Sequence, residues 1–356
     1  MPKSPYENLP RRAFWRSGVV ERADYSLADF YRPRFGIDKT MKIATAGSCF
    51  AQHVGWALRD SGFQVIDTEP PPKWVPLDAC RKYGFGLYSA RYGNIYTPRQ
   101  LLQLWREAAG EFRPAMPVWE ADGRFYDAQR PGVEPGGFDS AETVMAHRKP
   151  HLAAVQQAFR QADIFVFTFG LTETWQHTGT GTVYPTCPGT VAGEFDPKVF
   201  SFLNLSFAEV LNDFSRFRAA LMQVNPEVKF LVTVSPVPLT ATASGNHVEV
   251  ATGYSKAVLR AVCGQLVSDF ENVDYFPSYE IITSQKNAAR FYNANLREVT
   301  WHGVSTVMKT FLAAQLQTEA AAPSPTEAAP AQPAENTVTE AEAVVCEEAL
   351  LEAFRK

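Results

Sequence analysis

The sequence predicts a doubly wound α/β domain, in which a buried parallel sheet lies between helices. Continuous apolar, β-branched runs such as DIFVFTF at Asp163–Phe169 and VKFLVTVS at Val228–Ser235 are typical of strands that are buried on both faces. Helical patterns separate these runs, and an alternation of strands with helices indicates a parallel sheet.

Each element follows from its local pattern. The predicted strands are Lys42–Ala46, Gln64–Asp67, Asp163–Phe169, Val228–Ser235 and Val273–Phe276. The predicted helices are Ala51–Ser61, Pro98–Ala109, Pro150–Gln161, Ser206–Val224, Val250–Phe270 and Val304–Gln317. Stretches rich in Gly and Pro, expected as loops around the mouth of the sheet, are Glu69–Thr97, Phe112–Ser140 and Thr178–Pro197. The second of these also predicts a β-hairpin.

The chain divides into four parts. An N-terminal extension covers 1–39, the α/β domain covers 40–317, and an Ala/Pro/Glu-rich linker, predicted to be disordered, covers 318–339. Residues 340–356 predict a short C-terminal helix with an apolar stripe that includes Leu350 and Phe354. Two interpretations of this helix stay open: a frayed terminus, which the pattern favours, or a tethered peptide that docks on a protein partner.

Composition excludes several classes of protein. The net charge of −4 argues against a nucleic-acid binder. The acidity belongs to the tail, since residues 318–356 hold eight Glu and only two basic residues. The five cysteines are scattered without a CxxC pair, which argues against disulfides or a structural zinc site. With no secretory pattern and no apolar run of the ~18 residues that a membrane span needs, we expect a cytoplasmic protein.

The segment KIATAGSCF at Lys42–Phe50 is the strongest candidate for a catalytic turn. It predicts a strand that ends at Gly47 and Ser48 and passes into a helix, and open α/β sheets bind ligands at the carboxyl ends of their strands. A helix N-terminus also favours an anionic oxygen. The alternatives are that Ser48 only caps the helix, or that Cys49 is the nucleophile.

Several stretches of the chain resemble the GSCFA family. They are GSCFA at Gly47–Ala51, YGNIYTPRQLLQLW at Tyr92–Trp105, FVFTFGLTETW at Phe165–Trp175, LVTVSPVPLTAT at Leu231–Thr242, HVEVATGYSKAVLRAV at His247–Val262 and YFPSYEIIT at Tyr275–Thr283. The resemblance covers roughly residues 40–313. This family is similar to the SGNH/GDSL esterase superfamily, which implies a three-layer α/β/α, flavodoxin-like fold and a serine esterase or O-acyltransferase. No metal or other cofactor is implied.

The resemblance assigns roles to individual residues. Ser48 matches the nucleophile of the superfamily, and its own N–H is expected in the oxyanion hole. Gly93 and Asn94 lie where a second donor is expected. Gly170 begins the segment that matches the third conserved block, in which Thr172 replaces the usual Asn. A threonine hydroxyl donates with a shorter reach than an amide.

The general base is less well defined. The Asp-x-x-His pattern of the superfamily is missing before the last helix, where the chain has Asn295-Leu296-Arg297-Glu298. His302 follows at the start of that helix, and His247 lies in the loop after the fourth strand, so both stay candidates. His177 is a more distant candidate. Glu173 or Glu280 is expected to orient the acting histidine.

The expected substrate is a small-molecule or glycan ester, such as an O-acetylated carbohydrate. Aromatic residues in or near the loops would suit stacking on sugar rings; they are Tyr88, Tyr92, Tyr96, Trp105, Trp119, Trp175 and Tyr184. The alternative class is a non-catalytic glycan- or ligand-binding module on the same fold, which the missing Asp-x-x-His favours. A third possibility is an interaction protein whose C-terminal helix recruits a partner.

Overall fold

A computed structural model describes residues 4–22, 27, 29–287, 289–320, 344 and 346–354. Within these ranges the strands are β1 (Lys42–Gly47), β2 (Gln64–Val65), β3 (Val118–Ala121), β4 (Arg124–Asp127), β5 (Ile164–Phe169), β6 (Glu173–His177), β7 (Val183–Tyr184), β8 (Phe200–Asn204), β9 (Lys229–Val234) and β10 (Val273–Tyr275). The α-helices are α1 (Phe50–Asp60), α2 (Leu77–Cys80), α3 (Pro98–Ala108), α4 (Ala141–Gln161), α5 (Phe207–Met222), α6 (Val248–Asp269), α7 (Ser278–Thr283) and α8 (Trp301–Ala320).

The central sheet has five parallel strands in the order β2-β1-β5-β9-β10. Counted along the chain, this is the order 2-1-3-4-5 of flavodoxin-like folds. The order reverses between β1 and β5, and ligands of such sheets bind in the crevice outside the carboxyl ends of the strands at that switch point. The predicted fold class is confirmed.

Two hydrophobic cores lie on the two faces of the sheet. Every residue of β5 is buried, with Phe165, Phe167 and Phe169 in one core and Ile164 and Val166 in the other. Helices α3, α4, α5 and α6 contribute to the first core, and α1, α7 and α8 contribute to the second. Because side chains alternate along a strand, a continuously apolar strand supplies both layers at once.

Smaller antiparallel units decorate the sheet. The predicted hairpin is present as β3 paired with β4, and a three-stranded sheet has the order β7-β6-β8. The sequence prediction missed β6 and β8. Their half-buried pattern lacks the continuous apolar run that identifies the central strands.

Helix α4 begins nine residues before its predicted start, so that Pro150 lies inside the helix. The Ser140 hydroxyl caps its N-terminus by accepting the Thr143 N–H at 3.2 Å. A proline usually marks a helix end because it lacks an N–H, but it is tolerated within this long, separately capped helix.

The C-terminal region differs from the expected apolar-stripe helix. The structure has a 3-10 helix over Glu347–Phe354, in which Glu347 and Glu348 are buried while Leu350 and Phe354 are 49% and 64% exposed. Of the predicted linker, residues 321–339 lie outside the described residues. Within the described part of the chain, no helix combines the length and apolarity that crossing a membrane requires.

Candidate active site

The turn between β1 and α1 lies at the switch point of the sheet. Gly47 ends β1 with φ 140°, a backbone conformation that side chains other than glycine rarely adopt. A Cβ atom there would lie 2.5 Å from the carbonyl oxygen of Thr168 in β5. The glycine therefore lets β1 pass directly against β5 and places Ser48 at the carboxyl edge.

Ser48 is buried, and its backbone is held firmly. Its N–H donates to the Thr168 carbonyl at 3.1 Å, and its carbonyl accepts from the Ala51 N–H at 2.8 Å. The Oγ atom is buried and has no hydrogen-bond partner among the described residues. The expected role of the Ser48 N–H as an oxyanion donor is not supported in this conformation, because that N–H is used within the sheet.

Gly170, at the end of β5, lies directly against the serine. A Cβ atom on Gly170 would come within 2.8 Å of the Ser48 Cβ and within 3.1 Å of the Tyr96 carbonyl oxygen. The Gly170 N–H donates to that same carbonyl at 3.1 Å. Gly170 thus provides room for the serine, while its expected donor is already engaged within the fold.

Asn94 has a side chain oriented by buried partners. Its Oδ1 accepts from the Tyr88 hydroxyl at 2.5 Å and from the Gln52 amide at 3.1 Å. These two donors fix the amide so that Nδ2 donates to the Glu347 carboxylate of the C-terminal segment. Of the expected oxyanion donors, Asn94 is the one whose N–H group is directed at an anionic oxygen.

The other donor assigned from the resemblance, Thr172, is also buried. Its N–H donates to the Ser255 hydroxyl at 3.0 Å, and its Oγ1 has no partner among the described residues. The neighbouring Glu173 accepts from the Thr242 hydroxyl at 2.7 Å. Burial raises the pKa of Glu173, and the Thr242 bond opposes that rise.

None of the candidate histidines is a hydrogen-bond partner of the Ser48 hydroxyl. His247 is exposed and caps α6, with its Nδ1 accepting the Glu249 N–H at 3.2 Å. His302 lies in the exposed first turn of α8 against the Phe291 ring, at 5.5 Å between ring centroids. His177 belongs to β6 and packs on Phe200.

The expected orienting acids are likewise engaged elsewhere. Glu280 pairs with Arg260 and accepts from the Tyr275 hydroxyl at 2.7 Å. Its partners belong to α6 and β10, so it orients neither histidine in this conformation.

Cys49 does not have the surroundings of a reactive thiol. It is buried, and contact with the Cys346 thiol together with burial raises its pKa well above the usual range. A thiol nucleophile needs a lowered pKa. Burial next to a second thiol therefore does not favour the alternative of a Cys49 nucleophile.

Two cations that the sequence analysis did not select also line the site. Lys256 of α6 is buried and donates to the Gly170 carbonyl at 2.7 Å, and burial lowers its pKa to about 8. Arg297 precedes α8 and donates to Glu348 at 3.2 Å. Lys256 lies in the family-like stretch His247–Val262, and Arg297 lies where the Asp-x-x-His pattern is missing. The sequence did not mark either as a site residue, because no local pattern distinguishes a buried cation from a solvated one.

A buried ionic network supports the loop that carries Asn94. Arg148 of α4 binds Asp127 at 2.7 Å and also pairs with Glu107. Arg130 binds Asp127 at 2.8 Å and donates to the Arg91 carbonyl at 3.0 Å. Because Arg91 lies three residues before Asn94, this network fixes the start of the loop.

The aromatic residues offered for sugar stacking are mostly core residues. All except Trp175 are buried; the buried ones are Tyr88, Tyr92, Tyr96, Trp105, Trp119 and Tyr184. They therefore do not form a stacking surface in this conformation. No cluster of three or more His, Cys, Asp and Glu suited to a metal ion occurs in the described part of the chain.

A parallel sheet of this order, flanked by helices, defines a flavodoxin-like α/β protein, and a buried serine lies at the switch point of the sheet. The chain belongs to the GSCFA family, whose pattern matches residues 42–311.

Two solved structures are similar to this chain. One is a carbohydrate esterase family 3 protein from Talaromyces cellulolyticus, with 13% identity, a TM-score of 0.29, and coverage of 64% of this chain and 93% of that one. The other is an acetyl esterase mutant with an acetate ion, with 14% identity, a TM-score of 0.28, and coverage of 62% and 90%. No curated protein matches the chain.

Proposed function

We propose that this protein is a serine hydrolase or O-acyltransferase that acts on an ester through Ser48. The observation that carries the proposal is the Ser48 hydroxyl, which is buried at the switch point without a hydrogen-bond partner among the described residues. An unsatisfied buried hydroxyl costs about 1–3 kcal/mol, and at the switch point it is available to a ligand that enters the crevice. A serine that served only as a helix cap would use its oxygen on a backbone N–H.

The reaction would follow the usual acyl-transfer scheme. Ser48 Oγ attacks the ester carbonyl, its proton passes to a base, and the alkoxide leaves with a proton from that base. Water or another hydroxyl then takes the acyl group. Asn94 Nδ2 and the Tyr96 hydroxyl already donate to one carboxylate oxygen, and the same two donors suit the developing oxyanion.

We assign the base to His302 rather than to His247. The support for His302 is that Arg297, five residues before it and just ahead of α8, donates to Glu348 in the candidate site. His247 instead uses its Nδ1 to cap α6. Substituting each histidine by alanine separates the two, because only loss of the base slows acylation.

The decisive test is labelling with a fluorophosphonate probe, followed by mass spectrometry of the modified peptide. We expect the probe to modify Ser48 and the modification to vanish in Ser48→Ala. Cys49→Ala, one residue further on, serves as the matched control and should retain labelling. Folded protein that stays unlabelled would favour the binding-module interpretation, provided that the variant Glu347→Ala/Glu348→Ala, which removes the carboxylate bound to Asn94, is also unlabelled.

A second prediction concerns Gly170→Ala. The added Cβ would meet the Ser48 Cβ at 2.8 Å and so displace the serine. A misplacement of about 1 Å lowers the rate about 10²-fold, and we expect that loss in ester turnover and in the rate of probe labelling. Gly136→Ala is the control, since its Cβ would meet no atom within 4 Å. Equal rates in both variants would contradict the placement of the reaction at Ser48.

The substrate is proposed only as an ester, with O-acetylated carbohydrate as one class to be assayed. Release of acetate in water, compared with transfer of the acetyl group to an added sugar hydroxyl, distinguishes a hydrolase from an acyltransferase.

A further inference from the structure

In the C-terminal segment, residues Cys346–Phe354, acidic side chains are buried and apolar side chains are exposed, which is the reverse of an ordinary surface helix. Glu347 and Glu348 are only 5% and 7% exposed, whereas Leu350 and Phe354 face outward. Burying carboxyl groups is costly unless specific partners compensate for the lost water. The acidic pair therefore needs a site whose cations and hydrogen-bond donors replace the lost water.

Glu347 occupies a cradle formed by the Asn94 loop. Its Oε2 accepts from Asn94 Nδ2 and, at 3.1 Å, from the Tyr96 hydroxyl. Its Oε1 lies 3.6 Å from the position of a Cβ on Gly93 and only 2.8 Å from that of a Cβ on Gly132. Side chains at either glycine would narrow or fill the space, so the cradle is shaped to accept a carboxylate.

Glu348 enters a cationic part of the same pocket. Its Oε2 accepts from Arg297 Nη2 at 3.2 Å, and the positive charge of Lys256 also acts on it. Burial raises the pKa of Glu347 to about 6 and that of Glu348 to about 8. Desolvation thus opposes docking of both carboxylates, while the cations and donors favour it.

The segment also reaches the residue next to the candidate nucleophile. The Cys346 thiol contacts Cys49 and lies 3.8 Å from the Tyr96 hydroxyl and 3.7 Å from Arg297 Nη2. Cys49 directly follows Ser48. The segment therefore covers the same edge of the sheet from which an ester would approach the serine.

We propose that the pocket beside Ser48 is a carboxylate-binding site, and that segment 346–354 of the same chain fills it as an internal competitor of the substrate. A carboxylate is the acid product of ester hydrolysis, and its oxygen stands in for the oxyanion. Carboxylate binding is independent of the proposed function, whereas the blocking of Ser48 rests on it. Because the segment belongs to the same chain, its effective concentration at the pocket is about millimolar, and a free peptide needs about that concentration to reach the same occupancy.

The test uses the full-length chain with the paired substitution Glu347→Ala/Glu348→Ala. We expect the rate of fluorophosphonate labelling at Ser48 to rise about tenfold, because the pocket loses its internal ligand. Glu352→Ala removes an exposed carboxylate from the same 3-10 helix and should leave the wild-type rate. A synthetic peptide of residues 344–354, added at millimolar concentration, should return the paired variant to the wild-type rate.

Two results would overturn the proposal. One is an equal labelling rate in the wild type and in the folded paired variant. The other is rapid hydrogen exchange at the amides of 347–354 in the wild type, which would show that the segment is not docked. The exchange measurement needs no substitution, so it decides the question even if the paired variant does not fold.

Failure of the proposed function gives a different pattern. If no variant is labelled, binding of a fluorescent 344–354 peptide to the paired variant still measures carboxylate recognition. Saturable binding that is lost when Arg297→Ala is added would support the site while rejecting the esterase. Absence of saturable binding would reject the site itself.

Discussion

Replacing Gly47 with alanine is expected to lower the free energy of unfolding by about 4 kcal/mol, combining backbone strain with a steric clash. The residue has φ 140°, and its Cβ would lie 2.5 Å from the Thr168 oxygen and 2.7 Å from the Thr168 nitrogen. Both atoms belong to the backbone of β5, which cannot move away without opening the pairing with β1. Such a loss is a large fraction of the 5–15 kcal/mol that stabilises a typical domain.

Urea denaturation of the purified variant measures this effect. Gly86→Ala separates strain from clash, because Gly86 also has a positive φ, 67°, but its Cβ would meet nothing within 4 Å. We expect the Gly86 variant to lose only about 1 kcal/mol. If the two variants unfold at the same urea concentration, the close approach of β1 to β5 is not the reason why position 47 requires glycine.

Arg148→Met is expected to destabilise the protein by about 3–5 kcal/mol, because it leaves buried carboxylates without their main cation. Arg148 is 2% exposed and donates to both oxygens of Asp127, at 2.7 and 2.8 Å, and to Glu107. Burial by itself raises the pKa of Asp127, but the charges of Arg148 and Arg130 outweigh it and hold that pKa at about 2.

The sign of the pH dependence follows from this lowered pKa. The stabilisation from the Asp127 carboxylate is complete above its ordinary pKa of 3.8 and is lost as the pH falls towards 2. The difference in unfolding free energy between wild type and Arg148→Met should therefore be largest above pH 4 and shrink below it. Lys149→Met, which removes an exposed cation from the adjacent position, should change stability by less than about 0.5 kcal/mol. A pH-independent difference would contradict the assigned role of Asp127.

The central sheet was predictable because its signal is local. The six residues of β5 are all buried, and such a run has few alternatives to a two-sided strand. The position of Ser48 after β1 follows from the same logic, since the carboxyl end of a parallel strand is where a flavodoxin-like sheet binds ligands. These inferences need no knowledge of distant contacts.

The rest of the site depends on contacts between distant parts of the chain. Asn94 and Glu347 are 253 positions apart, and no periodicity relates them. Hydropathy also does not identify Glu347 and Glu348 as the buried side chains of the C-terminal helix, because it cannot foresee a pocket that pairs two carboxylates. For the same reason the sequence left His247 and His302 as equal candidates for the general base.

The boundary of the family match has a genetic consequence. The match ends at residue 311, whereas the acidic pair lies at 347–348. A premature stop codon or frameshift between the codons for residues 320 and 347 would remove the internal ligand and leave Asn94, Lys256 and Arg297 unchanged. On our proposal, selection can thus adjust the basal activity of this protein through codons outside the family match, without any change in the codons that encode its fold.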